Sequence, residues 1–212
     1  MPEAQEAKLA IVEAGRRLWY RGLVGAKEGN LSVRLSDGTI LCTAAGLDKG
    51  HMDESGIVTM SLDGRFQGEV PPSSEFRIHL RAYLDRPDCH AVVHAHPPAA
   101  TAFTVAGTEF PNDCLPEAAY VLGPVASVPF AFPGSEEVPD SLGPYLAQHK
   151  TFLLSHHGAM TLGATLEDAV DRMETLERIA LILVNARLLG GIEPMPASAL
   201  ARLRDRMNGR LA

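Results

Sequence analysis

Leu31–Leu35 and Thr39–Cys42 are two short β-prone runs separated by Ser36, Asp37 and Gly38, and an Asp-Gly pair so placed is a strong short-range hairpin signal. An antiparallel pair is therefore expected here. A strand over Ile57–Met60 and a second Asp-Gly turn at Asp63-Gly64 repeat the pattern until Pro71-Pro72, which cannot continue a ladder, closes it. Helix-periodic segments stand around these hairpins. Ala7, Ala10, Ile11, Ala14 and Leu18 recur at spacings of three and four, predicting an amphipathic helix that ends near Gly22 and leaves Gly25–Asn30 as loop. Ser73 or Ser74 is expected to cap a helix running through Leu84.

Ala91–His94 reads as a short apolar strand, and Pro97-Pro98 fits the first turn of a helix through Val105. Further on, Ser127–Phe130 predicts a strand, Ser135–His149 a helix, and Thr151–Leu154 a buried strand before a turn at His157-Gly158. From Leu166, the apolar positions follow helical spacing to Leu188, where Gly190-Gly191 ends the longest helix. The chain beyond Pro194 is expected to be peripheral. Hairpins mixed with crossovers predict one α/β domain over residues 1–212, with a single sheet between helices and no linker or repeat dividing it.

Composition removes several classes of function. The chain has 212 residues, 46% hydrophobic and 21% charged, with mean hydropathy +0.01, as in ordinary globular proteins. Its 19 basic and 26 acidic residues give a net charge of −7 with no cluster of Lys and Arg, so no nucleic-acid partner is expected. Cys42, Cys89 and Cys114 are odd in number and form no C-x-x-C pair, which fits a reducing compartment. The acidic N-terminus lacks an export signal, and the apolar run Ile179–Val184 is too short to span a bilayer. A soluble, cytoplasmic protein with no membrane partner is the expectation.

The chemistry concentrates in histidines. His94 and His96 stand two apart at a strand end, so both imidazoles share a face and can converge on one ion. Taken alone, this spacing reads equally as a capping or core-edge pair. His156-His157-Gly158 follows a second apolar strand, and His157 is the candidate third ligand. Three neutral imidazoles with an open position and a carboxylate make a Lewis-acid site, and Glu75 can supply that carboxylate. The plain reading of Glu75 is a first-turn acid favoured by the helix dipole by about 0.3–1 kcal/mol. His79, one turn on, reads as a surface pair with Glu75 as readily as a metal pair and is left out of the ligand set.

Gly29-Asn30-Leu31-Ser32-Val33-Arg34, Pro72-Ser73-Ser74-Glu75 with His79, Val93-His94-Ala95-His96 and His156-His157-Gly158 together resemble the class II aldolase/adducin family. The resemblance runs from about Ala7 to about Gly190, with the motifs in family order. It implies a three-layer α/β/α domain with a central, mostly antiparallel sheet, and a homotetramer with active sites between subunits. It also implies Zn²⁺, or another divalent ion such as Mn²⁺, on His94, His96 and His157, with Glu75 as acid/base. A sugar phosphate would be cradled by Gly29-Asn30, by the turn at Ala45-Gly46 and by Ser73-Ser74. Glycine-turn amides and hydroxyls at a helix N-terminus suit a dianion, although capping alone also accounts for the serines.

The chain departs from the aldolase pattern in three places. Ala45 replaces a threonine, and Lys27-Glu28 replaces Thr-Ala, so Lys27 either supplies the missing anion contact as a full charge or is a solvated loop lysine. Glu117, in Leu115-Pro116-Glu117, stands where the aldolases carry a proton-donating tyrosine and the dehydratase branch carries a glutamate. Its plain reading is a helix N-terminal acid, and Tyr120 reads as core. The implied reaction is retro-aldol cleavage of a ketose 1-phosphate to a dihydroxyacetone phosphate-type ketone and an aldehyde. Dehydration, decarboxylation and 4-epimerisation of related sugar phosphates are the alternatives within the family. A non-catalytic, adducin-like scaffold is the alternative of another class, and the intact His94, His96, His157 and Glu75 argue against it.

Overall fold

The computed structural model describes residues 2–207; Met1 and residues 208–212, which the one-domain expectation includes, lie outside the described residues. β1 (Asn30–Arg34) and β2 (Ile40–Thr43) pair antiparallel across the Asp37-Gly38 turn, with Ser32 opposite Cys42 and Arg34 opposite Ile40. β3 (Ile57–Met60) extends the sheet beyond β2, while β4 (Ala91–Ala95) pairs with the other edge of β1. β7 (Gly158–Gly163) lies against β4, then come β6 (Thr151–Leu154) and β5 (Val125–Val128), giving seven strands in the order β3-β2-β1-β4-β7-β6-β5. Only the β5–β6 pair is parallel among those strands. The sheet is thus the mostly antiparallel one that the resemblance implied.

Helices cover both faces. On one, α1 (Pro2–Tyr20), α3 (Pro98–Val105) and α5 (Leu166–Leu188) bury Ile11, Leu18, Phe103, Met173 and Leu176 against Leu31, Val93, Leu153 and Ala159. On the other, α2 (Phe76–Asp85) and α4 (Glu137–Leu146) bury Ile78, Tyr83, Leu142 and Leu146 against Ile40, Val92, Phe152 and Met160. Each large apolar side chain so buried contributes roughly 1.5–3 kcal/mol before the entropy of ordering is set against it. Because side chains alternate along a strand, His94 shares the face of Val92 and points to the α2 side.

Several boundaries differ from expectation. β5 starts at Val125 rather than Ser127 and stops before Pro129, which has no N–H to give a ladder. α4 is shorter than 135–149: Ser135 Oγ accepts from the Glu137 amide before it, and Arg86 takes the Leu146 carbonyl at 2.6 Å after it. β7, unassigned by the sequence reading, is a buried strand between two neighbours. Neither serine caps α2: the cap position is Glu75, with no side-chain cap bond. The segment after Pro194 is more than a peripheral tail, since the Met195 amide bonds Asp113 O and α6 (Ala197–Met207) packs beside residues 118–122. No helix among the described residues is long and apolar enough to cross a membrane.

Candidate metal centre

His94 is fully buried at the end of β4, and its Nδ1 lies 2.9 Å from the Ala159 carbonyl of the neighbouring strand. That carbonyl only accepts, so Nδ1 carries the proton and Nε2 of the neutral ring presents a bare lone pair. His96 Nε2 stands 3.2 Å away. His157 arrives from the β6–β7 turn, where His156 adopts a left-handed φ of 54° that turns the chain inward. Its ring lies 4.8 Å from that of His94 and 5.1 Å from that of His96 between centroids. Gly158 serves closeness rather than turning: a Cβ there would lie 2.5 Å from Ala95 O and 2.7 Å from His96 Cδ2.

Glu75 completes the group. At the cap position its carboxylate turns away from the helix end, putting Oε2 3.2 Å from His94 Nε2 and Oε1 3.1 Å from His157 Nε2. Burial pushes this carboxyl's pKa up, but the His94 and His157 rings outweigh it whenever they are protonated, and the net shift is then strongly downward. Burial, with like-charge repulsion from His94 and His157 when those rings are protonated, pushes His96 down to about 4.

Lone pairs and carboxylate oxygens that face one another at this range repel unless a cation lies between them. The donor atoms of Glu75, His94, His96 and His157 all fall within 4.8 Å of one another. Zinc bonds of about 2.0–2.1 Å in a tetrahedron place donors about 3.4 Å apart, close to the three separations of 3.1–3.2 Å found here. Glu75 Oε1 is also buried without a hydrogen-bond partner. The residues fit a divalent ion.

Three loops gather beside this group. The Ala45 amide bonds Pro71 O and the Ser73 amide bonds Thr43 O, joining the Gly46 turn to the segment before Glu75. Lys49, only 2% exposed, donates through Nζ to Leu47 O at 2.8 Å and Lys27 O at 3.1 Å, tying the Gly46 turn to the Gly29 loop. Sequence reasoning missed this lysine, whose Gly-rich setting gives no burial signal. Gly29 has φ of 71° and approaches His94 O so closely that a Cβ would lie 2.8 Å from it. The Lys27 side chain, Gly46 and Ser74 are exposed, whereas Ser73 and Asn30 are buried.

Asn30 points its side chain at Glu75, with Nδ2 3.3 Å from Oε2. His79 is no ligand, because both ring nitrogens are engaged, Nε2 by Asn30 Oδ1 and Nδ1 by Ser32 Oγ at 2.6 Å. Glu117 lies outside this gathering within one chain: it is exposed and precedes a π-helical turn over Ala118–Leu122. Tyr120 is not core but 65% exposed. A cavity of about 620 Å³ between α3 and β5, lined by Phe103, Phe110 and Tyr145 among others, includes none of the His/Glu group.

The family model described as Class II Aldolase and Adducin N-terminal domain matches residues 9–184, and the chain belongs to that family. The 3-oxo-tetronate 4-phosphate decarboxylase of Escherichia coli strain K12 is 34% identical over 207 residues, covering 95% of this chain and 96% of that protein. L-fuculose phosphate aldolase of Escherichia coli O6:H1 is 33% identical over 186 residues, covering 88% of this chain and 85% of that protein. The crystal structure of YgbL from Klebsiella pneumoniae superposes with a TM-score of 0.88 at 29% identity, over 95% of this chain and 99% of that one. The family's enzymes are metal-dependent and act on sugar phosphates.

Proposed function

We propose that this chain is a metal-dependent decarboxylase of a 3-oxo sugar-acid phosphate. The observation that carries the reading is the similarity along 95% of the chain to the decarboxylase of E. coli K12, which favours decarboxylation over retro-aldol cleavage. In such a substrate the carboxylate stands β to a ketone. Breaking the bond from the carboxylate carbon to the hydroxyl-bearing carbon between the two groups releases carbon dioxide and leaves the electron pair on that carbon, delocalised onto the ketone oxygen as an enediolate. A proton delivered to the carbanionic carbon then gives dihydroxyacetone phosphate. Retro-aldol cleavage of a ketose 1-phosphate breaks a different carbon–carbon bond but leaves the same enediolate, so one site suits both.

A divalent ion on His94, His96 and His157, zinc by its nitrogen-rich donor set or else manganese, would supply Lewis-acid stabilisation at the ketone. Glu75 is the group assigned to deliver the proton, since its buried Oε1 faces only the His157 ring and takes no hydrogen bond from the rest of the fold. Gly29, Gly46, Ser73 and Ser74 line the phosphate cradle, Asn30 borders it, and Lys27 contributes its charge at the rim. Glu117, exposed in one chain, is the second proton-transfer group, reaching a neighbour's site in a homotetramer of α/β domains. The test is to give the metal-loaded protein 3-oxo-tetronate 4-phosphate and a set of ketose 1-phosphates, trapping carbon dioxide and aldehyde separately. Carbon dioxide with dihydroxyacetone phosphate is expected; aldehyde release without carbon dioxide returns the assignment to retro-aldol cleavage.

A further inference from the structure

A file of buried polar groups runs from Glu75 into the fold, and none of its members is a metal ligand. Beyond the Asn30 contact to Glu75 Oε2, Asn30 Oδ1 bonds His79 Nε2, His79 Nδ1 meets Ser32 Oγ at 2.6 Å, and Ser32 Oγ meets the Tyr83 hydroxyl at 2.7 Å. Asn30, Ser32, His79 and Tyr83 are each 1% exposed or less. Local periodicity assembles them: Asn30 and Ser32 share one face of β1, and His79 and Tyr83 stand four apart on one face of α2.

Only one arrangement of protons satisfies every atom. A carboxylate accepts, so the Asn30 amide must turn its NH₂ toward Glu75. Asn30 Oδ1 then requires a donor, which places the His79 proton on Nε2. Nδ1 becomes an acceptor, the Ser32 hydroxyl donates to it, and the Ser32 oxygen accepts from the Tyr83 phenol. Burial keeps the two titratable members, His79 and Tyr83, in these states, pushing His79 down to about 3 and Tyr83 well above its usual value. Every dipole in the file points toward Oε2. Oε1, by contrast, receives no hydrogen bond from the file, and its one polar neighbour is His157 Nε2 at 3.1 Å.

We propose that Asn30, Ser32, His79 and Tyr83 are positioning residues that pin Glu75 Oε2 and leave Oε1 as the oxygen that carries the reaction's proton. A proton on Oε1 leaves the file unaltered, whereas one on Oε2 would set an acid O–H against the Asn30 NH₂, donor against donor. The proposal rests on the reading of Glu75 as the proton-transfer group.

Nitrogen-15 NMR of the metal-loaded protein should find His79 as the neutral Nε2–H tautomer; an Nδ1–H tautomer or an imidazolium breaks the file and overturns the proposal. His79→Leu should lower kcat about 10- to 100-fold through a misplaced carboxylate, with KM and metal stoichiometry unchanged. His79→Gln, whose amide can still donate to Asn30, should recover most of the loss. In a Glu75→Gln background His79→Leu should add nothing, and additive losses would refute action through Glu75. If His79→Leu does not fold, Ser32→Ala should give mixed His79 tautomers and a smaller drop in kcat, and an unchanged tautomer and rate would refute the file. Full turnover by Glu75→Gln sinks the reading of Glu75 and the proposal with it. Loss in Glu75→Gln with none in Asn30→Ala or His79→Leu sinks the proposal alone.

Discussion

Gly158→Ala tests whether β4 and β7 hold the metal centre by close contact. Gly158 is not in the left-handed region, so alanine brings no backbone strain; the whole effect is its Cβ, 2.5 Å from Ala95 O and 2.7 Å from His96 Cδ2. Ordinary carbon contacts begin near 3.5 Å, so one of these neighbours must retreat by about 1 Å. Ala95 is paired with Ala159 in the sheet, which leaves the His96 ring as the softer partner. Overpacking of this kind costs about 1–3 kcal/mol. Since the displaced group is a proposed ligand, much of that cost should appear in metal affinity, at tenfold for about each 1.4 kcal/mol, or about 10- to 100-fold overall. Competition with a zinc chelator measures the affinity, and urea unfolding verifies the fold. Gly163→Ala is the control: its Cβ would lie 2.6 Å from the Ala169 amide nitrogen and closer still to Thr165 O, at the opposite end of β7. It should destabilise the fold comparably while sparing metal affinity. Wild-type affinity in Gly158→Ala, or equal losses in the two variants, would refute the argument.

His94→Ala and His157→Ala should each lose stoichiometric metal by elemental analysis, and retention in both would remove the site. Glu177 accepts from the Ala99 and Ala100 amides at 2.9 Å each, holding the start of α3 just beyond His96. Glu177→Ala should therefore cost about 1.5–3 kcal/mol in urea unfolding, and a loss near zero would refute the cap. Burial holds His79 at about 3, below its unfolded value of 6.5, so an unfolded chain takes up a proton that the native chain refuses. Its contribution to stability is complete above pH 6.5 and falls toward pH 3, at about 1.4 kcal/mol per unit. At equal metal loading, His79→Gln should flatten the decline between pH 6 and 4, and profiles parallel to wild type would contradict this.

The legible parts of the fold and site were those coded locally. Asp37-Gly38 specifies its own hairpin because the turn needs backbone that few residues supply, and the apolar spacing from Leu166 to Leu188 marks α5. His94 and His96 declare a shared face by their spacing alone. β7 is different. Its six residues, Gly-Ala-Met-Thr-Leu-Gly, are buried on both faces and show no alternation, so only pairing with β4 and β6 makes them a strand. Glu75 was readable as a dipole acid or as a ligand, and the choice falls to whether His94 and His157 stand within reach. His79 was misread for the same reason: its partners, Asn30 and Ser32, lie 49 and 47 residues away.

What converts these local motifs into a site is strand register. Asn30 stands opposite His94 in the β1–β4 ladder, and His94 opposite Met160 in the β4–β7 ladder, three residues beyond His157. A slip of one residue in β4 would move His94 to the face packed by α5 and away from Glu75, and would expose Val93 to the polar file around His79. β4 is apolar on both faces apart from His94, so what opposes this slip is the cost of moving that imidazole from Ala159 and Glu75 into the apolar core of Val93 and Ala95. Packing and chemistry are specified by the same residues in β4. A substitution such as Val92→Asp should thus damage metal binding through register rather than contact, although Val92 itself is no member of the metal-binding group.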